Sequence, residues 1–527
     1  MVRPAPRRAL AAAILVVISS GARAQTRDWT PSERAVIGDF SHVVAVAAGR
    51  ERVFVVAPDA VLEYDPHGRR WAGPWQPPGG ERLARVGGAL ADPLDGSLWL
   101  VQAGGWIRFD PMTRQWEEGT VPGGVIDAAL DEFDPAGGLF LRTRNGWYSA
   151  QRGGIALPAA APQRPVRLAT VDDAIRSNPA IQATGATVNV MGRFRSVRFT
   201  SAAPASGFAG QGWYIGTSGV GLLYYPEGAG QPEPLLFGLP SGRVAAVFTG
   251  NDGVWVATAR TPTADPSVSF VGTELERFTW VQGPRASGLP FLEARRMVGR
   301  GSDLWLATDN GALLVTPRDE DFRRFDESRG LPDGRVLDLA QRAGRIAAGT
   351  AHGVAVFDDS TGFVQRAPRF RGAALAVELS GDTVWVGTEL GLFAALPGEE
   401  DLLQPDALAG ALSLQAPVVD LAWRGDTLVA LTRDRLLWRD PGNGAFTAGP
   451  LLGSRLGRLH TVVNGRGVLY LAGERGVASA TLATPLRRAL TQGDLPGRVT
   501  DLAVDEHYLW VATDNGLVRL SLDLVGR

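Results

Sequence analysis

The sequence predicts an all-β fold, a β-propeller array of about eleven four-stranded blades. One observation is a motif of the form apolar-aromatic-apolar-small, followed by a tight turn, that recurs roughly every 40–45 residues, the spacing of propeller blades. A second is the abundance of turn-forming residues, with 66 Gly and 35 Pro. A third is the order of parts around each motif, in which an apolar strand precedes it and two more strands follow.

The central position of the motif defines the blades. It holds an aromatic residue in nine copies and Ala or Val in two. One interval, between the third and fourth copies, is longer than a blade. The eleven positions are Phe54, Trp99, Phe140, Tyr214, Trp255, Trp305, Ala347, Trp385, Val429, Tyr470 and Trp510.

The motif itself explains why a propeller is predicted. In Leu304-Trp305-Leu306 the side chains alternate between the two faces of a strand, yet all three are apolar. Such a strand must be buried on both faces, which a blade between two neighbouring blades achieves. Asp309-Asn310-Gly311 then supplies the positive φ angles of a tight hairpin.

The domain organisation follows from the repeat. A basic segment and a short apolar run predict a cleaved signal peptide at residues 1–24, and hence a periplasmic or secreted protein. Propeller blades are expected at 25–158 and at 196–527. The segment 159–195 is expected to be an insertion with a short helix opened by a Thr170–Asp173 capping box, or else a degenerate blade.

Closure of the ring is expected to involve both ends of the chain. The last repeat lacks a fourth strand, and Thr26-Arg27-Asp28-Trp29 aligns with the fourth strand around Trp116. We therefore expect residues 26–31 to complete the last blade, which removes an exposed sheet edge. Since eleven blades exceed the usual four to eight of one ring, we expect two propellers. A single oversized ring is the alternative.

Composition excludes several classes of protein. The formal net charge is −2, which argues against a nucleic-acid partner. There is no cysteine, so disulfides, thiolate chemistry and cysteine metal sites are excluded. No apolar run after the signal peptide is long enough for a membrane span.

Several stretches resemble the two-component regulator propeller repeat. The stretches are VWVGTELGLFAAL (384–396), LWLATDNGALLV (304–315) and LWVATDNGLVRL (509–520), with GLPSGRVAAV (238–247) and GLPDGRVLDL (330–339) before other copies. The resemblance implies a periplasmic sensor-type propeller that recognises oligosaccharides. Sensors of that family continue into an immunoglobulin-like domain, a membrane span and a kinase. This sequence contains none of these parts, so direct signal transduction is not implied.

Candidate binding residues lie in the turns after the motif strands, which should share one face of a ring. Arginines converging there could hold a carboxylate or sulfate, and the enlarged turn at 260–274 follows Trp255. No catalytic residue or cofactor is predicted. No metal site is predicted either, because Asp92–Gly96 and Asp131–Asp134 lack a full calcium ligand series. The candidate binding residues are Arg144, Arg260, His352, Arg433 and Arg475.

Three functions remain open at this point. The first is an exported, non-enzymatic binding module for a glycan or a protein partner. The second is a propeller-type lyase or hydrolase that acts on a polysaccharide, which would need a histidine or carboxylate pair at a ring centre. The third is an assembly scaffold of the cell envelope, which would expose an apolar patch.

Overall fold

A computed structural model gives the architecture of the chain. The predicted signal peptide and residues 26–28 and 31 lie outside the described part. The structure describes residues 29–30, 32–78, 83–131, 138–150, 154, 156–184, 187–190, 193–205, 211–228, 231–261, 264–281, 293–300, 303–317, 321–367, 372–395, 416–482, 486 and 488–525.

The described chain is all-β, with eleven antiparallel sheets that correspond to the eleven predicted blades, and one separate two-stranded sheet. Each motif position falls in the second strand of its blade, including Ala347 and Val429. The all-β propeller prediction is therefore confirmed. We number the blades 1 to 11 in the order of the motif positions.

Blades 1 to 4 come first, after the isolated strand β1 (Arg34–Ile37). Blade 1 is β2 (Ala45–Ala48), β3 (Val53–Val56), β4 (Val61–Asp65) and β5 (Arg70–Trp75). Blade 2 is β6 (Val86–Ala91), β7 (Leu98–Gln102), β8 (Gly105–Asp110) and β9 (Gln115–Thr120). Blade 3 is β10 (Val125–Asp131), β11 (Leu139–Thr143), β12 (Gly146–Ala150) and β13 (Ala156–Ala159), with β14 (Pro165–Arg167) added beside β10.

A helical segment separates blade 3 from blade 4. It contains α1 (Val171–Ser177), α2 (Pro179–Thr184) and the hairpin β15 (Thr187–Val190) with β16 (Arg193–Ser196). Thr170 caps α1, and its capping box with Asp173 is complete. Blade 4 is β17 (Arg198–Ala205), β18 (Gly212–Ser218), β19 (Leu222–Pro226) and β20 (Glu233–Leu235).

Blades 5 to 8 follow without interruption. Blade 5 is β21 (Val244–Thr249), β22 (Gly253–Thr258), β23 (Ser267–Gly272) and β24 (Phe278–Val281). Blade 6 is β25 (Ala294–Arg300), β26 (Asp303–Thr308), β27 (Gly311–Thr316) and β28 (Asp321–Phe325). Blade 7 is β29 (Val336–Arg342), β30 (Arg345–Thr350), β31 (Gly353–Asp358) and β32 (Val364–Arg366), and blade 8 is β33 (Ala376–Ser380), β34 (Thr383–Thr388) and β35 (Gly391–Ala395).

Blades 9 to 11 complete the chain. Blade 9 is β36 (Val418–Arg424), β37 (Thr427–Thr432), β38 (Leu436–Arg439) and β39 (Phe446–Ala448). Blade 10 is β40 (Leu459–Gly465), β41 (Val468–Gly473), β42 (Gly476–Ala480) and β43 (Arg488–Thr491). Blade 11 contains β44 (Val499–Val504), β45 (Tyr508–Thr513) and β46 (Gly516–Ser521). The short helices α3 (Gly453–Leu456) and α4 (Leu522–Val525) lie before β40 and after β46.

The first strands of blades 5 to 11 contact one another in chain order, and β44 of blade 11 contacts β21 of blade 5. These seven blades therefore form a closed ring, which we call the ring. In blades 1 to 4, β2 lies between β6 and β17, and blade 3 follows blade 2. Among the described residues, β10 and β17 lack the extensive contact that joins β44 to β21. Blades 1 to 4 are thus an open arc, which we call the arc.

A strand from the beginning of the chain closes the ring. β1 pairs antiparallel with β46, with Arg34 opposite Leu520 and Ile37 opposite Leu517. The closing strand is therefore Arg34–Ile37, not residues 26–31. The sequence alignment on Trp29 placed this strand a few residues too early. A turn at Ser32 and Glu33 precedes β1, and the half-buried Trp29 packs against the core of blades 10 and 11.

The turn chemistry of the motif is visible in blade 6. Thr308 Oγ1 donates a hydrogen bond to Gly311 O at 2.6 Å and accepts one from Asn310 N at 3.2 Å. Gly311 has φ +103°, a conformation that side-chain-bearing residues rarely adopt. The threonine and glycine of the motif therefore fix the hairpin, and Trp305 is core, only 2% exposed.

Candidate functional site

Four of the five predicted binding residues lie on one face of the ring. Arg260, His352, Arg433 and Arg475 follow the second strands of blades 5, 7, 9 and 10. Antiparallel pairing places all these turns at the same side of a closed ring. Arg144 occupies the corresponding turn of blade 3, in the arc.

Each ring residue of this set has a local partner. Arg433 Nη2 donates to Glu389 Oε1 at 3.1 Å, and Arg475 Nη1 donates to the carbonyl of Ser454 at 3.1 Å. His352 Nδ1 lies 2.8 Å from Asp333 Oδ2. Arg260 lies 3.7 Å from the carboxylate of Asp265.

Among the described residues, no ion pair or side-chain hydrogen bond joins any two of the five predicted residues. His352 is 72% exposed at a turn and does not lie among the first strands that surround the ring axis. The structure therefore distributes these side chains around the rim and does not bring them into one site.

A different set of charged residues meets at the centre of the ring. Arg296, in the first strand of blade 6, reaches carboxylates of blades 7, 9 and 11, and its side chain is 22% exposed. Its nitrogen atoms lie 3.3 Å from Asp338 Oδ1, 3.3 Å from Asp420 Oδ1 and 3.2 Å from Asp501 Oδ1. We call these four residues the axial cluster.

The sequence carried a signal for this cluster that the repeat analysis missed. Asp338, Asp420 and Asp501 occupy the same position of their strands, just after a register shift, in VLDLA, VVDLA and VTDLA. Arg296 has that position in blade 6. A charged residue at a fixed place in an otherwise apolar inner strand points to the ring axis.

Each aspartate of the cluster also holds the next blade. Asp338 Oδ2 accepts the backbone N–H of Val377 at 2.8 Å, and Asp420 Oδ2 accepts that of Val462 at 2.8 Å. Asp501 Oδ2 accepts that of Val247 at 3.0 Å, across the seam where blade 11 meets blade 5. The aspartates of the cluster therefore join neighbouring blades at three of the seven contacts between blades, which is a structural role.

Burial dominates the electrostatics of the axial cluster. Desolvation raises the pKa of Asp338 to about 7 and that of Asp501 to about 6, against the opposing effect of Arg296. The pKa of Asp420 is raised for the same reason. Glu378, in the first strand of blade 8, faces the same charges, and its burial raises its pKa to about 8. Burial therefore makes these carboxyls harder to ionise than exposed ones.

The arc carries a groove that the sequence did not predict. It has a volume of about 670 Å³ and lies between blades 1 and 2, at the side opposite the motif turns. The β4–β5 turn, β5 and the β8–β9 turn form its walls. A smaller cavity of about 260 Å³ adjoins it, sharing Glu51, Arg52 and Pro111 and extending to the β6–β7 turn.

The floor of the groove combines a buried acid with an indole. Glu63 is 5% exposed and accepts a hydrogen bond from Arg52 Nη1 at 2.8 Å. Burial raises the pKa of Glu63, and the charge of Arg52 opposes this effect. The guanidinium carbon of Arg114 lies 4.5 Å from the ring centroid of Trp75, a cation–π contact.

The acidic turn Asp92–Gly96 lines the smaller cavity with its carboxylates already engaged. Asp92 accepts hydrogen bonds from Leu94 N and Trp99 Nε1. Asp95 accepts from Ser97 and from Arg108 Nη2, the latter at 2.9 Å. Among the described residues, no group of three or more His, Cys, Asp or Glu side chains has the arrangement of a metal site. Residues 132–134 of the second acidic stretch lie outside the described residues.

Comparisons with known proteins add little to this description. No protein-family model and no curated protein matches the sequence. The extracellular domain of a putative one-component system of B. thetaiotaomicron is similar at 12% identity and TM-score 0.44, with 92% of this chain and 76% of that chain covered. Virginiamycin B lyase from Staphylococcus aureus is similar at 12% identity and TM-score 0.43, with 53% and 95% covered.

A computationally designed protein, Ika8, is similar at 14% identity and TM-score 0.41, with 59% of this chain and 92% of that chain covered. At such values these similarities carry no argument about ligand or activity. In the described part of the chain no helix is long and apolar enough to cross a membrane.

Proposed function

We propose that the protein is an exported, non-enzymatic binding module that recognises a glycan or a protein partner, and that the groove between blades 1 and 2 is its binding site. The observation that carries the proposal is the groove itself, with an ion pair whose carboxylate is buried, an indole and further charged side chains in one concave surface. Such mixtures of apolar and convergent polar groups are typical of ligand sites.

The ring offers less support for a binding site than the arc does. The side chains predicted to bind on its face are engaged in local pairs, and the charges at its centre hold blades together. In the part of the ring that the structure describes, neither arrangement leaves a convergent set of unpaired polar groups. The ring is best understood as a rigid support for the arc, which suits a protein that presents a groove to its partner.

The enzymatic alternative finds less support. A hydrolase or lyase needs an acid or base that can exchange a proton with substrate. In Asp420 and Asp501 both carboxylate oxygens already accept backbone N–H groups. His352 pairs with Asp333 at an exposed turn.

The envelope scaffold retains one supporting observation. Three apolar residues on different strands of blade 3 are exposed, although each is of a type that normally lies in a core. They are Ile126, Leu157 and Val166. If the protein assembles through this sheet, replacing all three with serine abolishes its association with envelope components and leaves the groove intact.

The proposal is tested by a glycan array and by pull-down from the native envelope. The mature protein is compared with the double variant Arg70→Glu/Arg114→Glu in the groove and with Arg433→Glu on the ring face. We expect retention of a glycan or protein that the groove variant loses and the ring-face variant keeps. Loss in the ring-face variant alone would move the site to the turns, and no retention at all would refute the binding function.

A further inference from the structure

We propose that a cleft between the arc and the ring is a second binding site, which takes a small zwitterion of the amino-acid class with apolar side chains, a free amino acid or a dipeptide. The cleft has a volume of about 650 Å³. The β4–β5 turn of blade 1 and β20 of blade 4 form its arc side, and the β23–β24 turn of blade 5 forms its ring side. The inference goes beyond the proposed function, because the cleft and the groove have only two lining residues in common, Arg70 and Trp71.

The first argument is a carboxylate on the ring side of the cleft that lacks a partner. Glu276 is half-buried, and its Oε2 is shielded from solvent without a hydrogen-bond partner among the described residues. A buried carboxylate oxygen that accepts no hydrogen bond is costly. The ammonium group of a ligand in the cleft would supply both the hydrogen bond and the opposite charge.

The second argument is a pair of guanidinium groups that no carboxylate of the described chain binds. Arg70 makes no ion pair there, and Arg277 contacts the ring of Phe270, with its guanidinium carbon 4.9 Å from the ring centroid. Such a contact occupies the face of a guanidinium and leaves the N–H donors at its edge available. The third arginine of the cleft, Arg69, is in contrast paired with Glu233. The carboxylate of a ligand would therefore find donors at Arg70 and Arg277.

These charges favour a ligand that carries both signs. A simple anion would enter the same cleft as the unpaired Glu276, and a simple cation would face Arg70 and Arg277. A zwitterion offers each of these groups the opposite charge, whereas a ligand of one sign is repelled by one of them.

The third argument is the apolar part of the wall. Pro234, Leu236 and Phe278 line the cleft and are only half-buried. Phe278 is held by Phe237, with ring centroids 4.4 Å apart, and Phe237 packs on Trp71 at 4.9 Å. A preformed apolar wall with a few polar groups is typical of small-ligand sites, which occur preferentially between domains. The wall favours an aliphatic or aromatic side chain on the zwitterion.

The test is isothermal titration calorimetry of the mature protein with leucine and with leucyl-leucine, which separate a free amino acid from a dipeptide. The N-acetylated form of the tighter ligand lacks the ammonium charge, and its C-terminal amide lacks the carboxylate. We expect each blocked form to bind at least about tenfold more weakly, because one set of charged hydrogen bonds is lost.

Variants connect this binding to the cleft. Glu276→Gln should weaken the unblocked ligand about tenfold and leave the affinity of the N-acetylated form unchanged. Arg277→Gln should weaken the unblocked ligand to a similar degree and leave the affinity of the amide unchanged. Glu389→Gln and Arg498→Gln are the matched controls, because both residues are exposed on the ring and neither lines the cleft. They should bind like the wild-type protein.

Three outcomes would overturn the inference. The first is the absence of binding by either ligand at millimolar concentration. The second is equal affinity of the blocked and unblocked forms, which would show that the charges of the ligand are not recognised. The third is an equal response of the cleft variants and the controls, which would place the site elsewhere. Arg114→Glu changes the groove and not the cleft, so it should leave this binding intact, and failure of the proposed function is measured separately.

Discussion

The ring and the arc are built from the same kind of blade, but the residues at one position of their inner strands differ. In blades 7, 9 and 11 an inner-strand position holds an aspartate of the axial cluster. In the arc, the position after the same register shift is Gly88 in blade 2, Asp127 in blade 3 and Ser201 in blade 4, and the side chain of Leu168 packs on Gly88. The arc therefore has no arginine at this position, and it lacks the cation that gathers the axial cluster of the ring.

The difference shows what closure demands. Seven blades that meet in a circle bring buried charges of several strands within reach of one arginine, and those charges hold the seams. Four blades that do not close need no such latch, and they keep a groove between blades 1 and 2. We therefore expect substitutions in the ring to change stability and substitutions in the groove of the arc to change binding.

The largest effect is expected from Arg296→Met. Removing the cation leaves three aspartates buried without their partner, which costs about 3–5 kcal/mol of unfolding free energy. Urea unfolding followed by tryptophan fluorescence measures the loss. Arg498→Met removes an exposed arginine that pairs with Asp514 and should cost less than about 1 kcal/mol. Equal losses in the two variants would mean that the axial charges do not hold the ring.

Ring closure by β1 is examined with Ile37→Ala. Ile37 is fully buried in the core that joins β1, blade 11 and the arc. Its truncation should lower stability by roughly 2–4 kcal/mol. Ile126→Ala, at a 61% exposed isoleucine of the arc, should change it by no more than about 0.5 kcal/mol. A small effect at Ile37 would show that β1 is dispensable for the ring.

The pH dependence of the ring tests the electrostatics of its centre. Glu378 has its pKa raised to about 8 in the folded protein, above the value of an unfolded glutamate. The stability it contributes is thus complete below about pH 4.3 and is lost as pH rises through about 8. Glu378→Gln should therefore stabilise the protein at pH 9, on the order of 1 kcal/mol.

Thermal unfolding at pH 6 and pH 9 measures this effect for Glu378→Gln. The control is Glu389→Gln, an exposed glutamate on a ring turn, whose pH response should match that of the wild-type protein. If Glu378→Gln were neutral or destabilising at pH 9, the carboxyl would be ionised and well compensated at the axis.

The smallest effect on stability is expected in the groove. Arg114→Glu removes an exposed cation–π contact with Trp75 and should lower the unfolding free energy by no more than about 1 kcal/mol, although it is expected to weaken ligand binding in the groove. Stability and binding measured on the same preparation decide this. A loss of several kcal/mol would make Arg114 part of the scaffold and erase the contrast with Arg296.

The repeat could be read from the sequence because its cause is local. A strand apolar on both faces and a Thr-x-x-Gly turn are visible in the Ala347 repeat. The Val429 repeat keeps the apolar strand and Thr432, although Arg435 stands in the place of the glycine. The sequence prediction placed the closing strand too early because the residues around Trp29 resemble a fourth strand. The alternating pattern of Arg34–Ile37 covers only four residues and is weak.

The two charged sites were harder to foresee, for different reasons. The axial aspartates recur in register and could have been found by comparing inner strands position by position. The groove could not, since Arg52, Trp75 and Arg114 come from two blades and share no periodic position. Their proximity depends on how blade 1 packs against blade 2, which no local pattern encodes.

The pairing of β1 with β46 has a consequence for how the molecule forms. Because β1 precedes the arc and every other ring strand follows it, the arc is a domain inserted within the ring. Blade 11 cannot be completed until β46 has left the ribosome, since its partner strand β1 is made before the other strands of the ring. A chain truncated before β46 leaves β1 without its partner strand, so blade 11 is completed only after β46 has been synthesised.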